Sequence, residues 1–201
     1  MNICIYGAAS RTLDEKYYRA AEELGLYLAK RGHGLVFGGG AGGVMGAVAR
    51  GFHDGGAKTI LCVAPDFFNV DGVLYEQCSA YLYPSTMRER KRLLEEHADA
   101  FLAAPGGIGT LDEFFEIVTL RSLGRHAKPV ALYNSFGYYD GLLDVLKDYE
   151  KKGFLNLRGG DLFGVCATPE EAAAFVENAD GAYLEPPRFE GTAPLKKATG
   201  E

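Results

Sequence analysis

Tryptophan is missing from the 201 residues, and cysteine, histidine and methionine are scarce, at four, four and three. The cysteines are scattered at Cys4, Cys62, Cys78 and Cys166. They form no C-x-x-C pair, which argues against a zinc site. Cys4 and Cys62 fall in apolar runs, where a buried thiol is the default reading. An excess of positive charge is missing as well: 21 Lys and Arg face 27 Asp and Glu, a net charge of −6. A general binder of nucleic acid or anionic membranes is normally basic. Neither partner is expected, although a local cationic cluster can still hold a small phosphorylated ligand. No apolar run reaches the roughly 20 residues that cross a bilayer. The first strand begins at Asn2 with no basic-then-apolar leader before it, so a cytoplasmic protein without disulfides is the expectation.

Repeats and internal linkers are also lacking. Hydrophobic residues make up 47% of the chain, enough for one sizeable core. Residues 1–180 therefore read as a single domain, and 181–201, aperiodic and holding Pro, Gly, Thr and Lys, as a tail that is loose or docked on a partner subunit. Short buried-type strands are expected at Asn2–Tyr6, Leu35–Phe37, Thr59–Val63, Ala80–Tyr83, Ala100–Ala104, Val130–Tyr133 and Leu162–Val165. Helical spacing is expected at Tyr17–Lys30, Val44–His53, Met87–His97, Leu111–Leu123, Tyr139–Lys151 and Pro169–Asn178. This alternation predicts a three-layer, Rossmann-like, doubly wound and mostly parallel sheet with helices on both faces.

Two glycine-rich turns carry most of the functional signal. The first is Pro105-Gly106-Gly107-Ile108-Gly109-Thr110-Leu111-Asp112-Glu113, between a buried strand and a helix. Glycines let the backbone approach a ligand, and the first N–H groups of a helix have no internal partner, so a phosphate fits there. Thr110 and Glu113 also spell a capping box, in which each side chain would cap the other's backbone N–H. A bound phosphate would supply the cap instead and free Glu113. The second turn is Gly38-Gly39-Gly40-Ala41-Gly42-Gly43. It satisfies G-x-G-x-x-G, with Asp66 near the end of the next strand, and so admits a dinucleotide reading. It follows the second strand rather than the first. A second wall of one nucleotide site, with Gly40 in it, and simple packing of the next helix are the other readings.

The helix Met87–His97 opens with Arg88, Arg90, Lys91 and Arg92, against the preference of the helix dipole. Lys91 with Glu95 and Arg92 with Glu96 are possible i,i+4 pairs. Arg90 has no such partner. Its helical neighbours Thr86, Met87, Leu93 and Leu94 place it on the apolar stripe. A buried guanidinium needs an anion, either a ligand phosphate or Glu113. In the helix after the glycine loop, Leu111, Phe114, Phe115 and Val118 form one stripe, while Ile117 and Leu120 lie outside it. The second apolar side could face another subunit or a ligand base.

These residues resemble the LOG ("Lonely guy") family, the cytokinin riboside 5′-monophosphate phosphoribohydrolases, many of which were once labelled lysine decarboxylases. The resemblance covers about Asn2 to Asn178. It is carried by P-G-G-x-G-T-x-x-E at Pro105 to Glu113, by the Gly38–Gly46 run, by Met87-x-x-Arg90-Lys91 and by His126-x-Lys128-Pro129-Val130. It implies a homodimer and hydrolysis of a nucleoside 5′-monophosphate, such as an N6-modified adenosine monophosphate, to free base and ribose 5-phosphate, with no metal or organic cofactor. By resemblance, Arg90 and Glu113 are the catalytic pair. Gly106, Gly107, Ile108, Gly109 and Thr110 form the phosphate loop. Lys91, Asp112, Thr119, Gly40 and Met87 are further substrate contacts. Phe67, Phe68 and Tyr83 are candidates for the base pocket. Arg88 stands where many members have His, and Gly7-Ala8-Ala9-Ser10 lacks the usual serines. Both departures bear on base preference. The rival readings are a nucleotide or molybdenum-cofactor carrier, which needs the glycines but not the Arg–Glu pair, and a nicotinamide-dependent oxidoreductase. Amino-acid decarboxylation would need a pyridoxal-bound lysine, and none is marked out.

Overall fold

The computed structural model describes residues 1–68, 70, 72–155, 162–179 and 181–182. The tail at 183–201 lies outside the described residues. Seven parallel strands form one sheet in the order β4-β3-β2-β1-β5-β6-β7. They are β1 (Asn2–Tyr6), β2 (Gly34–Phe37), β3 (Ile60–Val63), β4 (Ala80–Leu82), β5 (Ala100–Ala103), β6 (Val130–Tyr133) and β7 (Gly164–Cys166). The helices are α1 (Glu15–Lys30), α2 (Gly43–Asp54), α3 (Met87–His97), α4 (Ile108–Ser122), α5 (Asp140–Lys151) and α6 (Pro169–Asn178). The three-layer Rossmann-like expectation holds.

Strand alternation splits the core in two. Ile3 and Ile5 of β1, Leu35 and Phe37 of β2 and Leu102 of β5 point to one face, which α1, α2 and α6 cover through Leu24, Leu28, Val48, Phe52 and Val176. Cys4, Tyr6, Val36, Val63, Phe101 and Leu132 point to the other, under Leu94 of α3 and Phe114, Ile117 and Val118 of α4. A sheet apolar on both faces needs both layers, which is why the strands read as continuous apolar runs rather than alternating ones.

The chain winds outward from β1 to β4, then α3 carries it back to β5 on the other side of β1. The winding direction reverses between β1 and β5, and such a reversal opens a crevice at the carboxyl ends of the strands. The turns after β1, β2 and β5 all meet there.

Most boundaries fall within a residue or two of the sequence expectation, and the larger differences are at β7 and α4. The strand expected at Leu162–Val165 runs over Gly164–Cys166, and Leu162 is instead buried against the α4 face. Helix α4 begins three residues early, at Ile108 with Gly107 as its N-cap, so Thr110 sits inside the first turn and is buried. The expected Thr110–Glu113 capping box therefore does not form. Helix α3, by contrast, starts on a capped T-x-x-E sequence, Thr86 to Glu89: the Thr86 hydroxyl accepts the Glu89 N–H at 3.1 Å. The Glu89 carboxylate, however, reaches back to the N–H and hydroxyl of Ser85 rather than to Thr86.

Candidate functional site

A cavity of about 580 Å³ fills the crevice, within the range of small-molecule sites, roughly 300–1,000 Å³. Its floor is made of turns: Gly7 to Arg11 after β1, Gly38, Gly40 and Gly42 after β2, and Gly107, Gly109 and Thr110 at the start of α4. One wall is apolar, from Met45, Phe68, Val73, Leu74 and Met87. The other is charged, from Arg90, Lys91, Asp112 and Glu113.

Arg90 is 8% exposed, as its place on the apolar stripe of α3 predicts. Its Nε donates to the Val63 carbonyl at 3.1 Å and its Nη1 to Glu113 Oε1 at 2.6 Å. The end of β3 thus fixes the guanidinium, which in turn fixes the carboxylate. Room for the third nitrogen comes from Gly38, where a Cβ would overlap Arg90 Nη2. The glycine after β2 is needed there for close approach. Burial pushes the Glu113 carboxyl above its ordinary range, and Arg90 offsets this only in part.

Lys91 does not pair with Glu95 along its own helix. It reaches across to α4, to Asp112 at 3.2 Å and to Glu116 in a closer ion pair. The Arg92–Glu96 pair forms as expected, at 2.6 Å. Glu116, Asp112 and Lys91 thereby clamp α3 to α4 next to the Arg90–Glu113 pair. The Glu116 and Asp112 hydrogen bonds hold the Lys91 ammonium above its ordinary pKa, Glu116 contributing most.

The glycine turn after β5 is held tightly. A Cβ on Gly106 would collide with the buried Thr110 side chain, so the turn can close only on glycine. The four N–H groups of the first turn of α4 are unused by the helix, and no side chain caps them. With the dipole behind them, they offer an anion site open to the cavity.

Of the twelve expected site residues, nine line the cavity: Arg90, Glu113, Lys91, Asp112, Met87, Gly40, Gly107, Gly109 and Thr110. Gly106 lies behind the turn and Ile108 is 89% exposed, so neither side faces the cavity. Thr119 lies more than two turns along α4, exposed, and is not brought to this cavity within the chain. Of the aromatic candidates, Phe68 lines the wall. Phe67 and Tyr83 do not, and Tyr83 stacks on Tyr81. Asp66 is exposed in a short helical turn outside the lining, so the acidic partner of a dinucleotide fingerprint is not in place. The second apolar side of α4 is covered by the chain itself: Ile117 is buried and its carbonyl takes a hydrogen bond with His126 at 2.9 Å. Sequence reasoning missed Arg11, Met45, Val73 and Leu74. Arg11 donates to the Gly72 carbonyl at 2.9 Å, tying the turn after β1 to the 70s segment.

A doubly wound parallel sheet with a glycine-lined crevice at its reversal point defines a Rossmann-like protein with that crevice as its candidate ligand site. A family model described as "possible lysine decarboxylase" matches residues 45–176. The probable cytokinin riboside 5′-monophosphate phosphoribohydrolase LOG4 of Oryza sativa subsp. japonica is 38% identical over 161 residues, 80% of this chain and 70% of the relative. The cytokinin riboside 5′-monophosphate phosphoribohydrolase LOG3 of Arabidopsis thaliana is 34% identical over 175 residues, 87% of this chain and 81% of the relative. The chain belongs to this LOG family. Among solved structures, the molybdenum cofactor carrier protein of Chlamydomonas reinhardtii superposes with a TM-score of 0.67 at 21% identity, covering 89% of this chain and 96% of that one. The molybdenum cofactor binding protein of Rippkaea orientalis gives 0.66 at 18% identity, over 88% and 94%. Both likenesses are of fold alone.

Proposed function

We propose that this chain hydrolyses the N-glycosidic bond of a nucleoside 5′-monophosphate of the N6-modified adenosine type, giving free base and ribose 5-phosphate. The observation that carries the reading is the buried Arg90–Glu113 pair at 2.6 Å in the same cavity as the open N-terminus of α4. A carrier needs the anion site. It does not need a carboxylate held in a buried position beside it.

In this reading the phosphate binds the N–H groups of Gly107 to Thr110. The base lies along Met45, Phe68, Val73, Leu74 and Met87, a wall suited to an adenine with an apolar substituent. The C1′–N bond breaks with its electron pair going to the base, and positive charge builds on the ribose as in other glycoside cleavages. Arg90 occupies Glu113 Oε1, which leaves Oε2 to face that charge or the attacking water. The water oxygen bonds to C1′ and a water proton ends on the base nitrogen. Lys91, the lysine of the described lining, is an ion-paired ammonium with a raised pKa. A Schiff-base lysine needs the opposite shift, which weighs against amino-acid decarboxylation.

A homodimer is the assembly this reading carries. Ile108, Asp112, Thr119 and Leu123 fall on one face of α4 by helical spacing, and Ile108 and Leu123 are exposed. Thr119 would then serve at or near the interface, and sedimentation should show two chains per particle.

The test is ribose 5-phosphate release from AMP, GMP, CMP and isopentenyladenosine monophosphate, beside the matching nucleosides. Release from monophosphates, with the isopentenyl substrate preferred, supports the reading. Nucleotide binding without release from any of them overturns it in favour of a carrier.

A further inference from the structure

The glycine turn after β5 is fastened from behind, and the fastening is selective. Three consecutive carbonyls accept hydrogen bonds: Ala104 from the Tyr139 hydroxyl at 2.7 Å, Pro105 from the Ala8 N–H at 3.1 Å and Gly106 from the Tyr138 hydroxyl at 2.8 Å. The middle bond prolongs the β1–β5 ladder. The outer two come from neighbouring tyrosines on the turn between β6 and α5.

In a trans peptide the C=O and the next N–H point in opposite directions, and no described peptide bond is cis. A hydrogen bond accepted by one carbonyl therefore sets the aim of the following N–H. Behind the Ala104 carbonyl comes Pro105, which has no N–H. Tyr139 aims no N–H through that carbonyl: its hydroxyl supports the buried strand end and also meets the Gly106 backbone, one peptide ahead of the one Tyr138 holds. Behind the Gly106 carbonyl comes Gly107, the N-cap of α4 and part of the cavity lining. Tyr138 lies outside that lining, so the Gly107 N–H it fixes points away from it, to the cavity side.

The turn is shaped to deliver these hydroxyls. Phe136 adopts φ +56°, a left-handed conformation that a side chain disfavours, while its ring stays 62% exposed. Burial of Phe136 does not account for the strain. The Asn134 side chain accepts the Tyr139 N–H at 2.6 Å and donates to Asp140 at 2.8 Å, which locks the turn onto α5. The Tyr138 ring is braced edge-on by Tyr17 and Tyr139, with centroids 5.6 and 4.8 Å away.

We infer that Tyr138 is a positioning residue for substrate phosphate, acting through the Gly106–Gly107 peptide, whereas its neighbour Tyr139 is structural. This rests on the reading that a phosphate binds the N-terminus of α4.

The experiment compares Tyr138→Phe and Tyr139→Phe in the full chain, with ribose 5-phosphate as the calorimetric probe and thermal unfolding in parallel. Loss of one aimed hydrogen bond should weaken ribose 5-phosphate about tenfold in Tyr138→Phe, with Tm unchanged because the ring is half exposed. KM for a nucleoside monophosphate should rise by a similar factor while kcat stays within about threefold. Tyr139→Phe strands the buried Ala104 carbonyl, so Tm should fall by about 2–4 °C with ribose 5-phosphate affinity kept. Affinity unchanged within about twofold in Tyr138→Phe, an equal loss in both variants, or no ribose 5-phosphate binding by the parent chain would each overturn the inference. Failure of the hydrolase reading is distinguishable: the parent chain would bind ribose 5-phosphate, and the two variants would still separate, without turnover of any monophosphate.

Discussion

Replacing Glu113 by Gln removes one charge and little else. The amide carbonyl can still accept from Arg90 Nη1, and the volume is nearly the same. Two effects on the fold oppose each other. The Arg90 guanidinium, 8% exposed, loses its anionic partner, which destabilises. Burial, however, holds the Glu113 carboxyl above its ordinary pKa, so its charge is itself disfavoured in the folded chain. The net change should be within about 2 kcal/mol, and the variant should remain folded. Catalysis has no such compensation. A fixed carboxylate facing an oxocarbenium-like centre contributes about 3–4 kcal/mol of transition-state stabilisation, by analogy with oxyanion-hole donors. At 1.36 kcal/mol per factor of ten, kcat should fall by about 10²–10³ with KM nearly unchanged. The raised carboxyl adds a signature in pH. The working form is the ionised one, so activity should fall as pH drops through a value above 4.5, and the Gln variant should lack that limb. The assay is steady-state ribose 5-phosphate release from pH 4 to 9. A Glu113→Gln enzyme with kcat within about threefold of the parent would refute the argument.

Two further perturbations probe the surroundings. Gly38→Ala puts a methyl where Arg90 Nη2 lies; kcat/KM should fall at least about tenfold, by steady-state kinetics, with far-UV circular dichroism unchanged. Glu177 joins α6 to the region between α1 and β2 through Arg31 and through His33 at 2.8 Å. The Arg31 hydrogen bond, then that of His33, holds its carboxyl down at about 2. A depressed pKa stabilises the fold above the ordinary carboxylate range, and that contribution is lost as pH falls from about 4.5 to about 2. Glu177→Gln should therefore lower Tm by about 2 °C at pH 7, and the gap to the parent should close in scans toward pH 2.

Local chemistry decided how much of this was legible in the sequence. Helix α6 is bounded by Thr168, whose hydroxyl caps the Glu171 N–H, and by Pro169 at its first turn; such signals sit in the sequence itself. Arg90 was legible because helical spacing left it on an apolar stripe without a local carboxylate. The start of α4 was not. Ile108 is solvent-facing, so the apolar periodicity begins only at Leu111, and Gly107 caps without a side chain. Lys91 was assigned to Glu95 because i,i+4 arithmetic sees one helix, whereas its partners stand on the next. Arg11, Met45, Val73 and Leu74 carried no joint signal, since only the sheet order brings the turns after β1 and β2 and the 70s segment together. Tyr138 was invisible for the same reason: its partner, the Gly106 carbonyl, is 32 residues away.

The central claim is that the open N-terminus of α4 and the Arg90–Glu113 pair act together on one phosphorylated substrate. The ratio of kcat/KM for isopentenyladenosine monophosphate to that for isopentenyladenosine tests it most directly. Two or so charge-assisted hydrogen bonds to phosphate, each worth about 1.5–3 kcal/mol, predict a ratio of at least about 10². Equal rates on nucleotide and nucleoside would contradict the account.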